Sequence, residues 1–218
     1  MSWDNSFAWS LVPELLAGLW ITVQITLGGI VIAVVVGLVV AVIRFSRIPV
    51  LSQLFGLYVQ FVRGTPLLVQ AYIAFFVLPD YGLSFSAQAT GIVVIGLNYS
   101  AYTAEVYRSG ISDVHVGQWE AATALSLPIG RTWTRVILPQ AVRSVVPMLG
   151  NYLVQMFKDS AVLFAITVYE LMGHALAIGS SSYRYLEPLT VAGLLFFLVS
   201  YPSSYLVRIL ERRLAPSR

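Results

Sequence analysis

Four charged side chains stand in stretches too apolar for a soluble surface: Arg63, Glu105, Lys158 and Asp159. A charge at membrane depth is costly, so such a residue is first treated as a binding, relay or clamping group. Lys158-Asp159-Ser160 offers a cation, a carboxylate and a hydroxyl within three residues. A zwitterion needs a donor for its carboxylate and an acceptor for its cationic group, and this cluster has both. The competing reading is a helix–helix clamp, with Asp159 paired to Lys158 or Arg63. Arg63 precedes Gly64 and Pro66, so it either meets a carboxylate or satisfies carbonyls freed by that break. Asn98, Ser100 and Gln155 add neutral hydrogen-bonding groups. Glu105 and Arg108 are three apart on one expected helix, a spacing that allows a local ion pair. His115 and His174 are isolated and expected in loops, so no metal site is expected. With no cysteine, thiolate ligands and cysteine nucleophiles are excluded.

A second polar feature is "GQWEAATALSLPIG", residues 117–130. Gly117 and Pro128 bracket it, and Glu120, Ala121, Ala122 and Ala124 favour helix. Proline and glycine just beyond stop the turn. The stretch is too short to span a membrane and has few basic residues for lipid headgroups. It presents a carboxylate instead. A surface helix over 118–127 that docks a cytoplasmic partner fits this better than a lipid anchor.

The elements that position these groups are membrane helices. The 218-residue chain is 58% hydrophobic and 11% charged, with mean hydropathy +0.80. Soluble domains carry about 25% charged residues. Residues 15–43, 81–104 and 188–207 contain no charge, and each is long enough for a hydrocarbon core that needs roughly 20 helical residues. Only helices and closed barrels satisfy their own backbone in lipid, and the period-two alternation of a barrel is absent. The expectation is all-α, with five transmembrane helices at about 15–43, within 50–79, 85–110, within 140–168 and 188–210. Gly29, Ala33, Gly37 and Ala41 form a small-residue stripe for close helix packing, within the chain or between subunits. Arg44, Arg47, Arg108, Arg131, Arg135, Arg143, Arg208, Arg212, Arg213 and Arg218 fall on one side of five crossings. Asp4, Glu14, Asp80, Glu170, Arg184 and Glu187 fall on the other. The positive-inside rule then puts the N-terminus outside, the C-terminus and residues 111–139 in the cytoplasm, and residues 170–186 outside. Residues 1–218 read as one membrane domain. Basic residues at helix ends, not on one soluble face, argue against nucleic-acid binding.

Glu120-Ala121-Ala122, followed by Ile137-Leu138-Pro139, resembles the EAA signature of binding-protein-dependent ABC importer permeases. Serine, also small, stands at 126 where the family usually has glycine. "FVRGTPLLVQ", "AYTAEVYRSG", "ILPQAVR" and "FKDSAVLFAI" resemble the polar amino-acid uptake branch. "YRYLEPLT" and "RILERRL" resemble permeases for ectoine and hydroxyectoine. The resemblance implies a type I permease fold in a bacterial inner membrane. It implies a second permease subunit, identical or paralogous, a cytoplasmic ATPase dimer and an external solute-binding protein. Gly117, Glu120, Ala121, Ala122 and Ser126 would then form the coupling helix that receives ATPase motion. Arg63, Asn98, Lys158, Asp159 and Ser160 remain the candidates for the solute. The only lysine, Lys158, follows Phe157 and not the glycine of a Walker phosphate loop. The chain is therefore expected to bind no ATP or magnesium, and a separate chain to hydrolyse ATP. The alternative is a secondary transporter or channel subunit for small zwitterions, which has no use for the 117–130 block.

Overall fold

The structure, a computed structural model, describes residues 3–46 and 48–214. Arg47 and Arg218, counted above with the cytoplasmic arginines, lie outside the described residues. Every regular element described is helical.

Helix α1 (Asn5–Phe45) has 41 residues, about 60 Å of helix. It starts ten residues before the expected boundary. Asp4 caps it, accepting from the backbone N–H of Ser6 at 2.9 Å and of Phe7 at 3.1 Å. The added turns bury Leu11, which joins Leu15 against Leu171, Ala175, Ile178 and Ala192, with Phe7 beside them. The Asp4 carboxyl is held below its ordinary range by the Ser6 hydroxyl and the Phe7 amide.

Helix α2 (Pro49–Gly64) does not continue to residue 79. Thr65 is extended (φ −116°, ψ 143°), as the residue before a proline tends to be. The chain then turns by 105° into α3 (Leu67–Tyr72), a π-helical turn (Ile73–Val77) and a 3₁₀ turn (Leu78–Tyr81). The interruption expected at Gly64 and Pro66 is a complete break, so the second expected helix is a bent pair.

Helix α4 (Ala87–Ser112) is central, packing on α1, α2 and α7. Gly29, Ala33, Gly37 and Ala41 are all buried. The first three meet α4, so the small-residue stripe serves packing within the chain. The Thr103 hydroxyl donates to the Ala33 carbonyl at 2.6 Å. A Cβ on Gly37 would lie 1.9 Å from Thr103 Oγ1 and 2.9 Å from the Ser100 carbonyl oxygen. Close approach at that crossing therefore requires glycine.

After α4 come α5 (Val116–Ala124), α6 (Ile129–Arg131), a π-helical turn (Thr132–Ile137), α7 (Leu138–Asp159) and a 3₁₀ segment (Ser160–Ile166). The fourth expected helix thus begins near residue 129, and the intervening "loop" is mostly helical. Helix α8 (Leu171–Ser182) replaces the external loop expected over 170–186. Its Leu171, Ala175 and Ile178 share one buried face. Glu170, assigned above to the outer surface, is fully buried. Its carboxylate accepts from Met172 N at 3.0 Å and Gly173 N at 2.8 Å, and from the Thr22 hydroxyl of α1 at 3.3 Å. His174 is likewise on α8, 3.6 Å from Glu14. Helix α9 (Leu186–Leu214) closes the bundle.

Helices α1 and α9 are each long and apolar enough to cross a membrane, and the α2–Tyr81 and Ile129–Ser182 runs qualify as bent pairs. Helix α4 is long enough but more polar, and protein surrounds half of it. Ion pairs tie both ends. Arg184 bridges Asp4 (3.5 Å) and the buried Glu187. At the other end Glu105 receives Arg108 at 2.8 Å, the expected local pair, and also Arg44 from α1.

Candidate functional site

The break after α2 opens a cleft of about 220 Å³ against α4 and α7. Thr65, Asn98, Tyr99, Tyr152, Gln155 and Asp159 are among its lining residues, and Tyr102 completes one wall. The half-buried Asp159 accepts the Tyr99 phenol O–H at 2.5 Å. Tyr99, Tyr102 and Tyr152 form a three-ring cluster with centroids 5.7, 5.8 and 5.9 Å apart. The Arg63 guanidinium lies 5.3 Å from the Tyr102 centroid, within cation–π range.

Gln70, unmarked by the sequence reading, organises the break. Its Nε2 donates to the Val62 carbonyl (2.9 Å) and Thr65 Oγ1 (2.7 Å), with the Thr65 carbonyl also in range at 3.3 Å. Its Oε1 accepts from Asn98 Nδ2 at 3.0 Å. The carbonyls freed by the break are thus met by Gln70 and by Thr65, whose hydroxyl donates to Phe61 O at 2.9 Å. Arg63, expected either as their partner or as a carboxylate ligand, does not meet these carbonyls; it is exposed over Tyr102. Gln70 was hard to find because its role depends on the fold bringing α4 beside a 105° turn.

The other candidates separate. Asp159 and Asn98 line the cleft, as does Gln155. Ser160 is fully buried and donates to the Phe157 carbonyl at 2.8 Å, so its hydroxyl faces its own helix. Ser100 bonds Tyr58 at 2.7 Å, away from the cleft. Lys158 is exposed and does not pair with Asp159. The clamp expected between Asp159 and Lys158 or Arg63 is absent among the described residues, and Tyr99 takes that place. Successive helical residues point about 100° apart, so Lys158, Asp159 and Ser160 cannot share one face. Their adjacency in sequence misled.

At the other polar feature, α5 begins at Val116 and ends at Ala124, close to the expected 118–127. His115 caps it, accepting from Gly117 N through Nδ1 at 3.0 Å, so His115 has a structural partner. Trp119 packs edge-on against Trp133 at 5.3 Å, over a small core of Val114, Ile137 and Ala141. Ala122 is buried, while Glu120 and Ala121 are exposed. Val116, Leu125 and Ile129 are also exposed, the last two by more than 70%. Ser126 has φ +51°. Its N–H bonds Thr123 O at 2.9 Å, and Leu127 N bonds Ala122 O at 3.0 Å. This is a Schellman stop, whose turning residue is usually glycine. The backbone keeps the glycine geometry although the side chain is serine.

A bent, all-helical bundle with a polar cleft at a helix break and a short helix projecting apolar and acidic groups is the architecture of a transport permease. Residues 10–216 match the family of binding-protein-dependent transport system inner membrane components, and the chain belongs to that family. The probable amino-acid ABC transporter permease protein y4tG of Sinorhizobium fredii is 43% identical over 215 residues, 96% of this chain and 93% of the relative. The arginine transport system permease protein ArtQ of Bacillus subtilis is 33% identical, covering 98% of each. A crystal structure of an amino acid ABC transporter with histidines superposes with TM-score 0.94 at 34% identity, over 98% of this chain and 100% of that one. The expected type I importer permease fold is therefore present. In this family the membrane component is not the enzyme, and a separate subunit hydrolyses ATP.

Proposed function

We propose that this chain is the permease subunit of an ATP-driven importer of polar amino acids or amino-acid-like zwitterions, and that the cleft at Asp159 is its solute site. The observation that carries this is the Asp159 carboxylate, half-buried beside the α2–α3 break with only a tyrosine hydroxyl as partner among the described residues. A carboxylate at that depth without a cation is costly, and a solute's ammonium or amidinium group supplies one. Asn98, Gln155 and Thr65 offer neutral hydrogen bonds. Arg63, over the rim tyrosine, complements the solute's carboxylate. The cleft is below the roughly 300–1,000 Å³ of drug-sized sites and suits a small solute. Relatives named for amino acids and arginine support the amino-acid class, and the 183–190 and 208–214 segments point further to ectoine-type solutes.

On this reading α5 is the coupling helix. Val116, Leu125 and Ile129 enter a groove on a cytoplasmic ATPase, and Glu120 pairs with a donor at its edge. Ala122 seats α5 on the permease, and Gly117 and Ser126 shape its ends. The N-terminus lies outside with the solute-binding protein, in a bacterial inner membrane, and the C-terminus is cytoplasmic. A second permease subunit completes the pathway.

The test is Asp159→Asn in the complex with its ATPase and binding protein, reconstituted in liposomes. Charged hydrogen bonds contribute about 1.5–3 kcal/mol, so apparent solute affinity should fall by roughly tenfold or more. Basal ATP hydrolysis should persist and solute-stimulated hydrolysis should drop. Competition between arginine, glutamine and ectoine for wild-type uptake ranks the solutes. Normal rate, affinity and selectivity in Asp159→Asn would remove the solute-site assignment.

A further inference from the structure

A second cavity, of about 630 Å³, lies between the end of α4, the first half of α7 and the end of α9. It is larger than the cleft and falls within the roughly 300–1,000 Å³ of small-molecule sites. Asp113, His115, Arg143, Asn151 and Glu211 are among its lining residues, so charges of both signs face one space. Asp113, Arg143 and Glu211 are exposed. None of the three makes an ion pair among the described residues, whereas the carboxylates of Glu105 and Glu187 each hold an arginine.

This cavity continues the Asp159 cleft along two helices. Residues of α7 turn by about 100° each, so Gln140, Ser144, Asn151 and Gln155 fall within about 60° of one another. The first three line the cavity and Gln155 lines the cleft. Asn151 and Gln155 are one turn apart, about 6 Å along the axis, and Asp159 is one turn further. On α4, Tyr102 lines the cleft and Asp113 the cavity. Eleven residues separate them, which is about three turns and a difference of only about 20° in direction. The cleft and the cavity are thus successive spaces along the α4–α7 pair, joined on α7 by a polar strip.

We propose that the cavity is a second, inner station for the zwitterionic solute, between the Asp159 cleft and the cytoplasm. Arg143 takes the solute carboxylate, and Asp113 or Glu211 takes its ammonium or amidinium group. Two carboxylates stand against one guanidinium, so a solute with net positive charge gains a contact that a neutral zwitterion lacks. The chemical class of the occupant rests on the solute reading of the cleft; the station itself is tested separately from it.

The test uses the assembled permease–ATPase complex in detergent, without binding protein. The chain has no cysteine, so Met148→Cys, at an exposed position in the cavity wall, supplies the only thiol in the permease. Maleimide labelling of that thiol is timed with arginine, glutamine, ectoine or acetate, each at about 10 mM. A station with Kd on the order of 1 mM is about nine-tenths filled at that concentration, so arginine should slow labelling roughly fivefold or more. Glutamine and ectoine should slow it less, and acetate should not. Arg143→Gln should remove the protection, Arg143→Lys should keep most of it, and Asp159→Asn should leave it in place. Protection that is lost in Asp159→Asn, or intact in Arg143→Gln, overturns the proposal. So does protection by none of the three solutes, or equal protection by acetate, which means an adventitious anion only. Failure of Met148→Cys to label in the complex overturns it too, because the ATPase or a second permease then fills the cavity. If Asp159→Asn keeps both protection and normal uptake, the cleft assignment falls and the inner station stands.

Discussion

Ser126 is the residue where backbone geometry and coupling meet, and it allows a signed test. A non-glycine residue in the left-handed region is disfavoured by roughly 1–2 kcal/mol. Glycine removes that strain but enlarges unfolded-chain freedom, offsetting about 0.4–1 kcal/mol. Ser126→Gly should therefore stabilise the end of α5 by up to about 1.5 kcal/mol. Valine is worse than serine at positive φ because both of its γ-carbons crowd the turn. Ser126→Val should abandon the turn and lose the two bonds that close it, Ser126 N to Thr123 O and Leu127 N to Ala122 O. Each contributes about 0.5–1.5 kcal/mol, so the loss is about 1–3 kcal/mol. The assay is hydrogen–deuterium exchange of the peptide spanning residues 119–130 in the full complex. Where opening is local, 1.4 kcal/mol is tenfold in exchange rate. The expected order is Gly slowest, Ser intermediate, Val faster than Ser by roughly tenfold. Uptake per ATP should fall in Ser126→Val and hold in Ser126→Gly, because only the former lets the docking helix fray. Exchange that is equal in all three variants, or slower in valine than in serine, would refute the reasoning.

Gly37→Val should separate α1 from α4. Overpacking at 1.9 Å from Thr103 Oγ1 costs about 1–3 kcal/mol, and displacing the Thr103–Ala33 bond adds about 0.6 kcal/mol. The melting midpoint in detergent should drop by roughly 5 °C or more, whereas Gly193→Ala, with open space around its Cβ, should stay within about 1 °C of wild type when each is measured by tryptophan fluorescence. Ser112→Cys and Ser181→Cys, both at exposed positions near opposite ends of the bundle, should label oppositely in intact cells. An impermeant maleimide should reach residue 181 and not 112, and the reverse result would invert the proposed orientation.

What could be read beforehand follows from what each signal measures. Uncharged runs report exposure to lipid, so they located α1 and α9, which carry the long apolar faces. They located α4 because its polar groups up to Ala104 are uncharged: Thr103 and Asn98 spend theirs inside the protein, and Glu105 and Arg108 come only in its last turns. The same signal failed at α8. Twelve residues cannot span, and the segment is flanked by Glu170 and by Arg184 and Glu187, so charge counting made it a surface loop. Those charges in fact mark its ends. Glu170 caps its first turn, and Arg184 and Glu187 close the corner into α9. A charge next to a short apolar helix can be a cap as readily as a sign of water, and only the i, i+4, i+7 spacing of Leu171, Ala175 and Ile178 separates the two cases. The cleft shows a similar limit. Lys158-Asp159-Ser160 identified the depth at which chemistry occurs, but helical geometry allows only one of the three to point into it. The partners of Asp159 come from residues far away in sequence. Tyr99 lies on α4, and Gln70 holds open the break opposite. Both are ordinary in an aromatic, apolar chain, and their roles follow from the 105° turn at Pro66. That proline was visible from the start as a helix breaker. Its consequence, a polar cleft in the interior of the bundle, required knowing that α4 and α7 pass beside it.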